Sequence, residues 1–254
     1  MTARIQSIER AAAILRLLSG QTRRLGVVQL AGELDMPKAT VHGILRTLTA
    51  VGFVEQDEES GKYQLGAALL HMGSSYLDGN ELRARALNWS DSLAARSGES
   101  VRIGTLHESQ VLVVHHVFRP DDSRQALEVG ALQPAHATAM GKVLLAASRY
   151  AAAELAEAGL QRFTPATITD SEALTKELKA VLERGWAADA QELVAGEVSL
   201  AAPITDRRGV TVGAIGISGP LERLTEEGAP RNDLVSFVRE AARAVSRDLG
   251  AIPW

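Results

Sequence analysis

Apolar residues near the beginning of the chain recur at helical spacing in three successive segments. In "IQSIERAAAILRLLS" Gly20 ends the segment, and the apolar residues form one stripe of Ile8, Ala11, Ala12, Leu15 and Leu18. "GVVQLAGELD" predicts a second, shorter helix, and Pro37 stands at the predicted first turn of a third. The spacing i, i+3, i+4, i+7 gives the third helix an apolar stripe facing the first two, formed by Val41, Ile44, Leu45 and Leu48.

A β-hairpin is predicted directly after the third helix. The short segments "FVEQ" and "KYQL" flank "DEESG", which places Gly61 at the turn. Three helices and a hairpin in about 65 residues predict a winged helix-turn-helix. An unspecialised helical bundle with a surface hairpin is the alternative that the same pattern allows.

The face of the third helix opposite its apolar stripe is made of polar and small residues. Gly43 stands out there, because glycine in an exposed helix interior costs about 1 kcal/mol relative to alanine. A helix turns 100° per residue, so the outward face and its flanks consist of Lys38, Ala39, Thr40, His42, Gly43, Arg46 and Thr47.

Two further helices are predicted before residue 98. Residues 66–78 form the first, and "GNELRARALNWSDSLAARSG" predicts a stronger one that Gly98 ends. We interpret the second as a linker helix, so the predicted domains are 1–78, the linker 79–97, and 98–254. The apolar stripe of the linker packs either on a partner chain or on its own domain, and it consists of Leu82, Ala86, Trp89 and Leu93.

From residue 99 the pattern changes to pairs of strands with helices between them. "SVRIGTLHESQVLVVHHV" predicts two strands around "HES", and "QALEVG" predicts a third. "EVSLAAPIT" and "VTVGAIGIS" predict two more around "DRRG". Helices are predicted for 140–147, for an Ala/Glu-rich segment ending at 159, for 172–184 and for 232–248. Strands paired through hairpins favour an antiparallel sheet with flanking helices, which makes the fold class α+β.

Composition and charge narrow the possible functions. The chain has 254 residues, 46% of them hydrophobic, and no cysteine, so disulfides, thiolate metal sites and a cysteine nucleophile are excluded. Neither a membrane span nor a signal peptide is predicted, and we expect a cytoplasmic protein. The net charge of −4 argues mildly against nucleic acid, but residues 1–54 hold seven basic and three acidic side chains. The charge that favours DNA is therefore local.

The sequence predicts neither a metal site nor a cofactor. His115 and His116 are adjacent, but neighbouring residues on a strand point to opposite faces and cannot share one ion. "GAIGISGP" spaces its glycines as G-x-x-G-x-x-G, unlike a dinucleotide-binding loop, and no Walker loop or G-x-S-x-G motif occurs. Nothing in these patterns requires catalysis.

The second half nevertheless predicts a small-molecule pocket. "HATAMGK" places small side chains at the beginning of a helix, where backbone N–H groups favour an anion, although Thr138 there equally predicts an ordinary helix cap. A phosphate or carboxylate would be held by arginines on or beside the early strands, each of which has a solvated surface role as its alternative. These candidates are Arg102, Arg119 and Arg124.

The motifs together resemble one known family. "IQSIERAAAILRLL", "KATVHGILRTL", "GFVEQDEESGKYQLG", "PAHATAMGKVLLA" and "GWAADAQELVAGEVSLAAPITDRRGVTVGAIGISGP" are similar, in order and over nearly the whole chain, to the IclR family of bacterial transcriptional regulators. "VLVVHHVFRPDDSRQALEVGA" is similar to an actinobacterial branch that regulates glycerol operons. The resemblance implies a winged helix-turn-helix, a linker helix and a GAF-like effector-binding domain. It also implies homodimers, often assembled into homotetramers.

The resemblance also implies where an effector binds and what it is. The family's usual effector is a small carboxylate, and the glycerol branch implies glycerol or glycerol 3-phosphate. Three positions depart from the family pattern: Ser199 stands where a cysteine is common, Gly216 where a serine is frequent, and Met140 where a small residue is common. The pocket positions carried over to this chain are Ala139, Met140, Asp189, Ser199 and Ser218.

For the first domain the resemblance implies a reader of double-stranded DNA. We expect the third helix to enter the major groove of a palindromic operator, with Arg46 contacting a guanine through two hydrogen bonds. The wing would contact backbone or minor groove through Lys62 and Tyr63, with the acidic residues 57–59 pointing away. The alternative function is a small-molecule hydrolase or isomerase with an appended helix-turn-helix that binds a partner.

Overall fold

The computed structural model describes residues 5–20, 24–121 and 125–251. Contacts between Cα atoms divide the chain into two compact units, Met1–Gly79 and Asn80–Trp254. No helix among the described residues is both long enough and apolar enough to cross a bilayer.

The first unit contains the predicted three helices and hairpin. The helices pack around one core that includes Leu30 and Val54 as well as the stripe of the third helix. Its elements are α1 (Gln6–Leu18), α2 (Val27–Glu33), α3 (Lys38–Ala50), β1 (Val54–Gln56), β2 (Tyr63–Leu65) and α4 (Ala67–Asp78).

The stripe predicted for α3 is confirmed and the stripe predicted for α1 is partly wrong. Val41, Leu45 and Leu48 are buried, and Ile44 packs against them. In α1 the buried residues are Ile14 and Leu18, whereas Ile8 is exposed. At 100° per residue, Ile8 lies to one side of the face on which Ile14 and Leu18 are centred.

The wing is joined to the helices by backbone hydrogen bonds. Residues of β1 and β2 pair antiparallel, and Gly61 adopts φ +66° in the turn between them. The N–H of Leu25 donates to the carbonyl of Tyr63 at 3.0 Å, and the N–H of Tyr63 donates to the carbonyl of Leu25 at 2.9 Å. This bridge extends the hairpin to a third segment and fixes the wing to the chain that leads into α2.

The second unit is an antiparallel sheet with helices on both faces. Its strands are β3 (Ser100–His107), β4 (Gln110–Val117), β5 (Leu132–Pro134), β6 (Ala187–Ala190), β7 (Glu197–Thr205) and β8 (Thr211–Pro220), in the spatial order β5-β4-β3-β8-β7-β6. A small separate ladder pairs β9 (Thr225–Glu226) with β10 (Ala229–Pro230). The helices are α5 (Glu81–Ser97), α6 (Ala139–Ala147), α7 (Arg149–Ala158), α8 (Ser171–Arg184), α9 (Leu221–Leu224) and α10 (Asn232–Asp248). The α+β class predicted from the sequence is confirmed.

The two faces of the sheet are covered by different helices. On one face α6 contacts β7 and β8, and α8 packs on α6. Alternate sheet residues such as Ala187, Ala201 and Ala214 belong to the same core as Val143 and Leu178 of these helices. On the other face α5 and α10 pack on each other and on the sheet.

Two predictions about the second unit are settled by the structure. The stripe of α5 packs on its own unit, since Leu82, Ala86 and Leu93 are buried there. The strand predicted for "QALEVG" is wrong: residues 125–130 form a loop, and the third strand lies at Leu132–Pro134. Gly130 in the loop adopts φ +88°, and the Gln125 side chain bonds both the N–H and the carbonyl of Arg119. These contacts hold the segment as a loop.

Candidate functional site

The outward face of α3 is exposed as predicted. His42, Arg46 and Thr47 are exposed, and Gly43 is half-buried with nothing within 4 Å of the place where a Cβ would stand. The Thr47 hydroxyl donates back to the carbonyl of Gly43 at 3.2 Å. At the beginning of the helix Lys38 and Ala39 are exposed, and Thr40 is half-buried. The outward face of α3 is therefore a polar surface, and at Gly43 the helix backbone itself is uncovered.

The wing presents one of its two predicted contact residues. Lys62 is exposed, whereas Tyr63 is 7% exposed and belongs to the core of the first unit, so its side chain is not placed to contact DNA. Tyr63 lies on the same face of the hairpin as Val54 and Leu65, which pack in the same core, and so it faces inward.

The acidic turn of the wing is partly neutralised. Asp57 accepts a hydrogen bond from the backbone N–H of Ser60 at 2.9 Å and lies 3.1 Å from the guanidinium of Arg24. The Ser60 hydrogen bonds, followed by the charge of Arg24, keep the pKa of the Asp57 carboxyl below its usual range. Glu58 and Glu59 remain exposed.

In the second unit a cavity of about 220 Å³ lies beside the face of the sheet that α6 covers. The strand register brings three of the residues predicted for the effector side by side. Ser218 of β8 pairs with Ser199 of β7, and Ser199 pairs with Asp189 of β6. Ser100 of β3 pairs with Ser218 on its other side. We call these four residues the polar row. Paired residues project from the same face of the sheet, and three members of the row, Asp189, Ser199 and Ser218, line the cavity.

Arg102 lies beside the polar row and is already paired. Its guanidinium donates to the hydroxyl of Ser218 and, at 2.6 Å, to a carboxylate oxygen of Glu128. The other oxygen of Glu128 accepts from the Gln133 side-chain amide at 2.9 Å. Arg102, Glu128 and Gln133 all line the cavity, and the guanidinium charge is matched by the carboxylate within hydrogen-bond distance.

Asp189 is the most strongly perturbed acid of the cavity wall. Burial raises the pKa of its carboxyl from 3.8 to about 6, and the nearby charge of Glu192 adds to that effect. Against these, the carboxylate accepts from the Glu192 N–H at 2.6 Å and from the Ser199 hydroxyl at 3.3 Å. An acid buried in this way is a candidate for ligand binding, because a ligand hydroxyl can supply a further donor.

The first turn of α6 faces the same cavity. The Thr138 side chain caps the helix by accepting from the Gly141 N–H at 3.2 Å, and the Ser199 hydroxyl accepts from the Ala139 N–H at 3.3 Å. Ala139 itself is fully buried and Met140 lines the cavity. A Cβ at Gly141 would stand 2.1 Å from the carbonyl oxygen of Ala135, so only glycine allows the helix to begin this close to the preceding turn.

Two of the departures from the family pattern lie against each other. A Cβ at Gly216 would stand 3.3 Å from Cγ of Met140 and 2.7 Å from the carbonyl oxygen of Leu200. The larger side chain at position 140 thus occupies the space above a strand residue that has no side chain.

The other two predicted arginines are not brought to the cavity. Arg119 pairs with Asp121 and lies 3.8 Å from a carboxylate oxygen of the buried Glu99. It does not line the cavity, which corrects the prediction that it grips an anion there. Arg124 lies outside the described residues.

The paired histidines point to opposite faces, as predicted. Burial lowers the pKa of both imidazoles, but the neighbouring charges differ: Arg83 and Asp91 of α5 act on His115, whereas Arg102 and Glu128 act on His116. Within the described ranges no group of three or more His, Cys, Asp or Glu side chains is arranged to hold a metal ion.

Sequence patterns missed several residues of this site. Glu128 lies in the loop mistaken for a strand, and 26 residues separate it from Arg102 with no periodic pattern between them. Lys142 and Glu192 form an ion pair just behind the cavity wall, and both side chains are almost wholly buried. The only sequence signal for Lys142 was a charged residue within an otherwise apolar helix, "AMGKVLLAA".

Comparisons with known proteins agree with both units. The family model described as "IclR helix-turn-helix domain" matches residues 7–58, and the model "Bacterial transcriptional regulator IclR C-terminal" matches residues 74–247. The chain is 57% identical over 251 residues to the glycerol operon regulatory protein of Streptomyces coelicolor, covering 99% of both chains.

More distant relatives share the whole architecture. The HTH-type transcriptional repressor AllR of Escherichia coli is 32% identical over 251 residues, covering 96% of this chain and 90% of AllR. The crystal structure of an IclR homologue from Microbacterium hydrocarbonoxydans, complexed with 4-hydroxybenzoate, matches with a TM-score of 0.81 at 25% identity, covering 96% of this chain and 99% of that one. The chain therefore belongs to the IclR family of bacterial transcriptional regulators and is a ligand-responsive, DNA-binding regulator.

Proposed function

We propose that this regulator reads a palindromic operator with the outward face of α3. The observation that carries the proposal is the division of that helix, with Val41, Leu45 and Leu48 buried and His42 and Arg46 exposed on the other side. Arg46 contacts a guanine edge in the major groove through two hydrogen bonds. Lys38, Ala39, Thr40 and Thr47 hold the phosphate backbone and the groove wall at the two ends of the helix.

Gly43 and the wing complete the DNA interface. The helix surface at Gly43 carries no side chain, so the backbone can approach the base edges closely. Lys62 of the wing supplies a positive charge to the backbone or the minor groove. Arg24 already matches Asp57, which lowers the repulsion between the acidic turn and phosphate.

The cavity of the second unit binds a small-molecule effector that changes operator binding. The members of the polar row that line the cavity, together with Arg102, supply hydrogen-bonding groups on one wall, and the first turn of α6 closes another. Similarity to the Streptomyces regulator supports a catabolic operon, that of glycerol, as the target. The candidate effectors are accordingly a small carboxylate, glycerol or glycerol 3-phosphate. The coupling between effector and operator is expected to be about 1–3 kcal/mol.

The acting form is a cytoplasmic homodimer, and pairs of dimers form tetramers. No residue of α4 is buried within the single chain, and Leu70, Met72 and Tyr76 are 75%, 57% and 57% exposed. Large apolar side chains exposed along a helix support a second chain as its partner. A dimer presents two copies of α3 to half-sites one helical turn, or a multiple of it, apart.

The protein is a binding protein and not an enzyme. All three relatives described above are regulators or repressors by name or family, which supports this assignment. Under the alternative function, an enzyme with a partner-binding helix-turn-helix, the protein would convert the small molecule that binds in its cavity into a product. Incubation with the effector followed by product analysis separates the two functions.

The test selects genomic fragments that the purified chain retains and measures their binding by fluorescence anisotropy. We expect retention of a few fragments that share an inverted repeat and lie beside catabolic genes. Addition of a substrate or product of the enzymes that those genes encode should shift the binding curve. Retention of random fragments with equal affinity, at every salt concentration, would contradict sequence-specific reading.

A further inference from the structure

The charges around the cavity of the second unit restrict the kind of effector that it accepts. Among the described residues that line the cavity, Arg102 is the basic one and the acidic ones are Glu128, Asp189 and Glu197. Glu128 matches Arg102 at 2.6 Å, so its guanidinium is not available as an unmatched positive charge. The remaining carboxylates give the cavity a negative field when they are ionised.

Two N–H groups at the beginning of α6 are already bonded to hydroxyl groups. A helix N-terminus attracts anions through free N–H groups. Here the N–H of Ala139 donates to Ser199 and that of Gly141 donates to Thr138. An incoming phosphate or carboxylate would have to displace hydroxyl groups that already satisfy these two donors.

Hydroxyl groups suit the same wall. A hydroxyl both donates and accepts, so it can donate to the carboxylates of Asp189 and Glu128 and accept from Ser199 or Ser218. At about 220 Å³ the cavity is smaller than those that hold drug-sized ligands, which typically measure about 300–1,000 Å³. Both size and polarity therefore favour a short chain of hydroxyl-bearing carbons.

We propose, on the basis of the effector-binding function proposed above, that this pocket accepts a small uncharged polyol and rejects phosphate and carboxylate. Glu128 is the residue that sets this preference, because it neutralises Arg102. Arg102 acts as a positioning residue: it holds Ser218 and Glu128 in the orientation in which they meet the ligand hydroxyls.

The test measures binding of four radiolabelled probes to the full chain by equilibrium dialysis, namely glycerol, erythritol, glycerate and glycerol 3-phosphate. Dialysis is preferred to thermal shift because high concentrations of polyols stabilise proteins by exclusion from their surface. Saturable binding of glycerol or erythritol, and none of the two anions, is the expected result. Tighter binding of either anion, or saturable binding of none of the four, overturns the proposal.

Glu128→Gln tests the proposed source of the preference. The substitution removes a carboxylate that repels anions and leaves the guanidinium charge of Arg102 unmatched. The affinity for glycerate or glycerol 3-phosphate should therefore rise at least about tenfold. Glu197→Gln is a second variant, at an exposed position where we expect no effect on folding. It should raise the affinity for the anions less than Glu128→Gln does. Glu222→Gln, exposed and outside the cavity, is the control and should change nothing. Unchanged anion rejection in a folded Glu128→Gln chain overturns the role of Glu128.

The outcome is distinguishable from that of the proposed function. A polyol that binds without altering operator affinity would contradict the coupling between the units and leave the ligand preference intact. An anion that binds and releases the operator would contradict the ligand preference and leave the regulatory function intact.

Discussion

The ammonium group of Lys142 contacts the carboxylate of Glu192 inside the second unit, where the two side chains are 2% and 8% exposed. The same ammonium donates to the carbonyl of Ala188 at 3.0 Å. The pair joins α6 to the segment that follows β6, directly behind Asp189. Two opposite charges in this place compensate each other's loss of hydration, and neither is tolerated alone.

Lys142→Met is therefore expected to destabilise the second unit by about 3–5 kcal/mol, because it leaves the carboxylate of Glu192 buried without its partner. The double variant Lys142→Met/Glu192→Leu removes both charges and should recover most of the loss. Urea unfolding followed by circular dichroism measures both. Lys176→Met on the exposed side of α8 is the control. Equal losses in the single and double variants would contradict the compensation.

Stability should depend on pH through Asp189. Burial raises the pKa of this carboxyl from 3.8 to about 6, so the folded chain holds the proton more tightly than the unfolded chain. The resulting stabilisation is complete below about pH 4 and is lost as the pH rises through about 6, a change of up to about 3 kcal/mol. Asp189→Asn cannot ionise, and its stability relative to the parent should rise over this interval.

Thermal unfolding of both chains between about pH 4 and pH 8 measures this difference. Glu154→Gln, an exposed carboxyl on α7, is the control and should follow the parent. A difference between the Asp189→Asn chain and the parent that stays constant over the whole range would show that Asp189 ionises normally.

Arg46→Ala should weaken binding to the selected operator by about 1–3 kcal/mol and relax the preference at one base position, because a bidentate contact to a guanine is lost. Anisotropy titrations against the operator and its single-base variants measure both effects. Arg16→Ala, an exposed arginine on α1, is the control for loss of charge alone. Equal weakening on operator and random DNA would assign Arg46 to a phosphate.

Gly43→Ala should affect folding and DNA binding in opposite directions. Because nothing lies within 4 Å of a Cβ at this position, alanine should stabilise α3 by about 0.5–1 kcal/mol. The added methyl group stands between the helix backbone and the base edges, so operator affinity should fall. Chemical unfolding and anisotropy on the same preparation measure the two effects. Unchanged affinity would mean that the helix backbone does not approach the bases at Gly43.

The helices and most strands could be predicted from the sequence because their signals are local. The stripe of α3 and the strands around "HES" follow from spacing alone. The sequence of the loop at residues 125–130 predicts a strand because Leu127 and Val129 lie two residues apart, as on one face of a strand. What keeps it irregular is the contact of Gln125 with Arg119 and the φ of +88° at Gly130, which no periodic pattern reveals.

The candidate site was only partly predictable for the same reason. Motif positions identified Asp189, Ser199 and Ser218, and the register places them side by side. The charge of Arg102 makes it a candidate in the sequence, but its pairing with Glu128 depends on how a loop returns to the sheet. That pairing is the basis of the proposed preference for an uncharged ligand, because the carboxylate matches the guanidinium charge. The position of Tyr63 in the wing likewise predicts a DNA contact, and its burial argues against one.

The position of Ser100, Ser218, Ser199 and Asp189 in one row across four strands has a consequence for how such regulators diverge. Their neighbours along each strand, such as Leu200 and Ile217, point to the opposite side. Point substitutions can thus alter the compound recognised while the hydrophobic layer is inherited unchanged. A one-residue insertion in the middle of β7 would instead turn the residues on one side of it to the opposite face, bringing apolar side chains of that strand to the cavity face, and is expected to abolish function.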